Sequence, residues 1–234
     1  MDAQHTRRWS RVAAGIAAFA ALLYSAWLMG PWLNPEHDTT ASYVSELAAS
    51  DQPFSRVFRG FDAAAGLMLA LAVGVLLVRD SGSWLARLRR NGPYVALGLF
   101  GLATVADSLL PLSCAATADP ICAAEEKLGL TPWTHQLHTV SSSLAGALAV
   151  VALVWAAARV WRRRREGAAP SWLVAPAIGL ALVHTVALGY TLLEIAGLGV
   201  GGLGWAQRVS LAALALWWVL LFLSWRRGLP VRSD

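Results

Sequence analysis

His135, His138 and His184, together with Asp107 and Glu46, are the side chains of this sequence best suited to holding a metal ion or moving a proton. His135 and His138 stand three residues apart in WTHQLHTVSSS, so on a helix they share one face. Ser142 continues that polar stripe four residues beyond His138. Neutral imidazoles suit Zn²⁺, and three of them around an open coordination position would activate a bound water. On that reading His135, His138 and His184 are metal ligands, Asp107 or Glu46 is a base, and the chemistry is zinc-dependent hydrolysis. On the other reading the same residues form a hydrogen-bonded cluster that lines a binding pocket. Asp107 then meets His184 or Arg208, and His138 meets a serine or a backbone carbonyl. The pattern is not HExxH, no Ser-His-Asp motif is visible, and GLGVGG follows no strand and carries no GKS/T.

The elements that must position these residues are apolar. The chain of 234 residues is 57% hydrophobic and 14% charged, where a soluble domain carries roughly a quarter charged residues. A membrane-spanning helix needs about 20 mostly apolar residues. Six stretches qualify, over about 12–33, 58–78, 93–112, 133–158, 171–195 and 204–225. The fold class is therefore all-α, a polytopic membrane protein with a bundle of about six transmembrane helices, read as a single domain over residues 1–234. The first stretch is longer than a signal-peptide core and is followed by no small-residue cleavage site, so it reads as an uncleaved span.

Charge sets the orientation. With both termini cytoplasmic, 15 of the 19 basic residues fall inside, including Arg7, Arg8, Arg11, Arg79, Arg159, Arg227, Arg232 and the block Arg162–Arg165. Only Arg56, Arg59, Lys127 and Arg208 fall outside, as the positive-inside rule requires. Trp9, Trp84, Trp161, Trp172 and Trp225 mark inner boundaries, and Trp32, Trp133 and Trp205 outer ones, where indoles favour the interface. The net charge of +5 does not imply nucleic acid, because the basic residues lie in short blocks between apolar runs. The arginine clusters read as topology signals that meet anionic lipid headgroups. Heavy use of Arg and Ala points to a GC-rich bacterial genome, and the location to its plasma membrane.

In this topology the polar chemistry gathers at the outer half. Ionisable groups in hydrocarbon cost about 2.5–3.5 kcal/mol on insertion scales, so they face the bundle, a cavity or a partner. At 1.5 Å per residue, Asp107 lies about 21 Å above Pro93 and His184 about 20 Å above Ser171. Asp107, His138 and His184 are expected to share a cavity between the third, fourth and fifth spans. Asp62 stands beside Arg59 and reads as an ion-pair or helix-dipole residue. Cys114 and Cys122 share one outer loop, where a disulfide is expected.

The chain resembles the bacterial and archaeal membrane family known as domain of unknown function 998. The likeness rests on six spans, on YVSELAAS followed by RGFD, on DSLLPLSCAATADPIC after the third span, and on HQLHTVSSSLAG opening the fourth. It makes Ser45, Glu46, Pro111 and His138 the family-like positions. The first outer loop is also similar to that of damage-regulated autophagy modulator proteins. The resemblance implies architecture and location and no activity. The function expected is an integral membrane protein that binds a lipid, small molecule or partner protein through an outer-leaflet polar pocket comprising Glu46, Asp107, His135, His138, Ser142 and His184, with no firm cofactor. The alternative is a zinc-dependent intramembrane hydrolase of a lipid amide or ester, loosely similar to alkaline ceramidases.

Overall fold

The computed structural model describes residues 3–77 and 83–226, and all regular structure among them is helical. Asp2, Val78, Arg79, Asp80, Arg227, Arg232 and Asp234 lie outside the described residues, as do the side chains of Arg7, Trp84, Arg87, Trp225 and Arg226. In chain order come α1 (Ala3–Tyr24), a 3-10 turn (Ala26–Met29), α2 (Gly30–Leu33) and a second 3-10 turn (Val44–Ala48). They are followed by α3 (Ser55–Leu77), α4 (Trp84–Leu109), α5 (Pro120–Lys127), α6 (Trp133–Arg165), α7 (Ser171–Ile195) and α8 (Leu203–Arg226). Six segments are long and apolar enough to cross a bilayer: Arg8–Leu33, Ser55–Leu77, Leu88–Leu109, Trp133–Arg165, Ser171–Ile195 and Leu203–Ser224. The protein is a multi-pass membrane protein.

Boundaries differ from those read off the apolar runs in the first, third and fourth spans, the first starting at Ala3 and giving way to a 3-10 turn after Tyr24. The third spanning helix starts at Trp84, nine residues before Pro93, with the Ser83 hydroxyl accepting from the Ala86 amide at 3.4 Å. Pro93 has no N–H to give to the Arg89 carbonyl, which would leave that carbonyl orphaned inside the helix. Arg159 of α6 fills the gap: its Nη2 donates to Arg89 O at 2.7 Å and its Nη1 to Arg90 O. The fourth spanning helix runs on through the arginine block to Arg165. Arginine is a good helix former, and its charge suits the negative end of the helix dipole.

The spans form a ring in sequence order. α1 packs on α3, α3 on α4, α4 on α6, α6 on α7, α7 on α8, and α8 closes on α1. The outward faces are apolar and exposed, as at Leu22, Leu67, Leu102, Val140, Leu182 and Leu216. In lipid this costs nothing, so association depends on close packing and polar contacts. Small residues supply the close packing. Ala14, Ala17, Ala72, Ala149 and Ala152 are fully buried, and a Cβ on either Gly66 or Gly101 would run into the other's carbonyl oxygen. Tyr24, Phe100 and Trp218 meet across the ring axis, with ring centroids 4.9 to 5.8 Å apart.

The two ends differ. One, the basic end, carries Arg159 and the block Arg162–Arg165. The other, the cap end, carries the long connections. There Ser50 N donates to Leu112 O at 2.9 Å and Gly204 N to Thr40 O at 2.9 Å, tying the first long connection to the second and to the first turn of α8. The glycine-rich connection is a turn. Gly197, Gly201 and Gly202 all have positive φ, which only glycine adopts freely, and Glu194 Oε1 accepts from Gly201 N at 2.8 Å.

Candidate functional site

Toward the cap end the ring axis opens into a cavity of about 150 Å³, lined by side chains from all six spans and roofed by the Val44–Ala48 turn. Its polar wall is Ser45, Asp62, Thr104, Asp107, Ser142, His184, Gln207 and Ser210. Tyr24 and Phe100 put the aromatic cluster at its apolar side.

Asp107 lies two residues before the end of α4, so it is nearer the cap end than the count from Pro93 implies. Its Oδ1 accepts from Ser141 at 2.5 Å and from Ser142 at 2.8 Å, and lies 3.3 Å from His138 Nδ1. That ring nitrogen is also 2.8 Å from Leu110 O, so it carries a hydrogen. Ser142 Oγ is 3.2 Å from His138 Nε2. The three residues therefore form one network, spaced as the serine and histidine stripe of α6 predicts. His138 stands behind Asp107 and does not line the cavity. His184, only 3% exposed, lines it from α7. Its Nδ1 is 3.0 Å from Ser210 O and 2.9 Å from Ser210 Oγ, and its Nε2 has no hydrogen-bond partner.

The three-histidine ligand set does not assemble. His135 turns to the disulfide loop, where Ser113 N donates to its Nδ1 at 3.1 Å and Glu126 Oε1 is 3.7 Å from its Nε2. His138 faces Leu110 and Asp107, and His184 faces Ser210 across the ring. No group of three His, Cys, Asp or Glu side chains among the described residues stands close enough to hold one metal ion. The reason is that α6 turns His135 away from the axis, and His184 is drawn to α8 by its serine. The hydrolytic reading loses its Zn ligands.

Glu46 is also displaced from the expected pocket. It is 1% exposed and sits behind the roof. Its Oε1 accepts from Thr117 N at 2.8 Å and its Oε2 from Tyr43 N at 3.1 Å and from the Thr117 hydroxyl. Burial pushes its carboxyl above the ordinary carboxylate range, and the Thr117 and Tyr43 donors offset part of that shift. Thr117 lies between Cys114 and Cys122, which are joined by a disulfide with Cα atoms 6.1 Å apart. Glu46 thus ties the roof to the cross-linked loop. On the other side Val44 N donates to Gln207 Oε1 at 2.5 Å. Arg208 Nη1 donates to Thr39 O, Ser42 O and Gly204 O at 2.8 to 3.1 Å, rather than to Asp107. His37, in the same connection, is held below the ordinary histidine value by burial and then by Arg208.

Asp62 is the largest departure. It lies seven residues into α3, on the cavity wall, and makes no hydrogen bond or ion pair among the described residues. It does not pair with Arg59, whose Nε is itself buried without a partner. Its neighbour across the cavity is Asp107. Gln207 and Ser210 were also not singled out by sequence. Their signal is weak, two polar residues near the start of an apolar helix.

Six spans closed in a ring around a roofed polar cavity define a polytopic integral membrane protein. The chain belongs to the family described as protein of unknown function (DUF998), whose model matches residues 15–224. No curated protein and no solved structure matches it.

Proposed function

We propose that this protein is a binding protein of the bacterial plasma membrane that takes a small ligand, or the headgroup of a lipid, into its axial cavity from the external face. The observation that carries this reading is Asp62, a carboxylate without a partner among the described residues, facing a cavity inside an otherwise closely packed bundle. Such a group is costly in a membrane interior and marks a site by default. The cap end is external and both termini cytoplasmic. Two independent features support that orientation. The arginine block lies at the opposite end, where anionic headgroups of the inner leaflet meet it, and the disulfide lies where an oxidising compartment would form it.

Ala145 lines the cavity from α6, and Ala145→Phe would fill it. Native mass spectrometry of the detergent-solubilised chain should find a retained small molecule or lipid in the wild type and its loss in Ala145→Phe. Equal retention in both would defeat the reading. A reporter fused after Arg165 should read cytoplasmic and one at Asp119 external, and the reverse would overturn the orientation.

A further inference from the structure

We infer that the group received by the cavity is a small organic ammonium cation, held between the carboxylates of Asp62 and Asp107. The inference rests on the binding reading above and adds the chemistry of the ligand. The wall is rich in vacant acceptors. Asp62 accepts nothing among the described residues. The hydrogen bonds to Asp107 and its contact with His138 all fall on Oδ1, so Oδ2 is open. With the Nδ1 hydrogen of His184 directed at the Ser210 carbonyl, the neutral ring presents Nε2 as a lone pair without a partner among the described residues. That nitrogen belongs to a side chain 97% buried on the cavity wall, the complement of its 3% exposure. These acceptors call for N–H or C–H donors and positive charge on the occupant, while the unpartnered Nε1–H of Trp27, also in the lining, calls for one acceptor such as a hydroxyl.

Nothing in the wall supplies that charge. No Lys or Arg among the described residues lines the cavity, and Arg208, beside Gln207, is turned to the backbone carbonyls of Thr39 and Ser42, just ahead of the roof. Tyr24, Trp27, Phe58 and Phe100 also line it, and aromatic rings attract organic cations through the ring quadrupole. A hard metal ion fits less well, since Ca²⁺ or Mg²⁺ requires six or more oxygens and the described residues gather no three ligands. The volume of about 150 Å³ is of the size that holds a molecule such as benzene, so an ethanolammonium or a methylated ammonium fits. That group exists as a free amine and as the headgroup of an ethanolamine lipid.

Calorimetric titration of the purified full chain in maltoside detergent tests the inference. Ethanolammonium chloride should bind, and ethylene glycol, its neutral analogue, should bind at least tenfold more weakly. Asp62→Asn should weaken ethanolammonium tenfold or more, and Ala145→Phe should abolish its binding. Native mass spectrometry from phosphatidylethanolamine and phosphatidylglycerol nanodiscs distinguishes the sources. Phosphatidylethanolamine retained by the wild type and lost in Asp62→Asn identifies the lipid headgroup, and binding of ethanolammonium alone identifies the free amine. Equal binding of ethylene glycol, or no binding of either ammonium source, overturns the inference. Should Asp62→Asn fail to fold, the comparison of charged and neutral ligands on the wild type decides alone. If a neutral or anionic molecule is retained instead and Ala145→Phe releases it, the binding reading stands and the ammonium inference falls. If Ala145→Phe changes nothing, both fall.

Discussion

The middle of the bundle and its cap end are built by the same six helices with opposite solutions. In the middle, Gly66 meets Gly101, alanines fill the seams, and Trp218 seals the axis against Tyr24 and Phe100. At the cap end the helices stand apart around Asp62, Asp107 and His184, and the connections hold them there. In lipid, helices gain little from hiding apolar surface, so a seam closes only where backbones can touch or polar groups pair. A cavity must therefore be braced from outside the hydrocarbon, by the roof, the disulfide loop and the carbonyl contacts of Arg208.

That contrast can be broken at four places. Trp218→Ala removes the fully buried seal and should cost about 3–5 kcal/mol, the range for large aromatic truncations. Thermal unfolding in detergent reads this, and a loss under about 1 kcal/mol would mean the middle is not the rigid half. Replacing Cys114 and Cys122 by serine should cost about 2–3 kcal/mol on the chain-entropy model. Proteolysis should then begin in the connections of the cap end, with the middle still protected. Asp62→Leu should act in the opposite direction, gaining about 1 kcal/mol by removing a half-buried carboxylate with no partner among the described residues, while ligand retention disappears. A loss of stability there would show that Asp62 has a structural partner after all.

The smallest effect is a pH response of the roof, read by hydrogen exchange over residues 34–49. His37 has a lowered value when folded. Its stabilisation is present above the ordinary histidine range, near pH 6.5, and is lost as pH falls through the folded value. Glu46 has a raised value. Its contribution is complete below the ordinary carboxylate range and is lost as pH rises through the folded value. In Glu46→Gln only the histidine term remains, so the roof should loosen on acidification. In His37→Gln it should loosen as pH rises. The same pH trend in both variants would mean that neither group controls the roof.

The spans were legible because each is a long apolar run with charge at its ends. Pro93 misled the count at α4, since a proline reads as a helix start. The compensation by Arg159 comes from 66 residues further along and has no local signal. The stripe of His138 and Ser142 is legible because α6 spaces its polar residues on one face, whereas Asp107, read as meeting His184 or Arg208, reaches that stripe from α4. Asp62 was misread because sequence pairs it with the near Arg59, whereas the ring sets it opposite Asp107. His135 was misread because the path of the disulfide loop, which recruits it, has no periodic pattern to follow.

A ring laid down in sequence order has one joint that no loop spans, between α1 and α8. It is held by the Tyr24–Trp218 contact, by Arg208 on Thr39 and Ser42, and by Gln207 on Val44. During synthesis the barrel therefore stays open like a letter C until its last stave arrives. A ribosome stalled before Leu203 leaves five helices, a roof without its latch and no enclosed chamber. The polar chamber is completed only when α8 brings Gln207 and Ser210 to its wall.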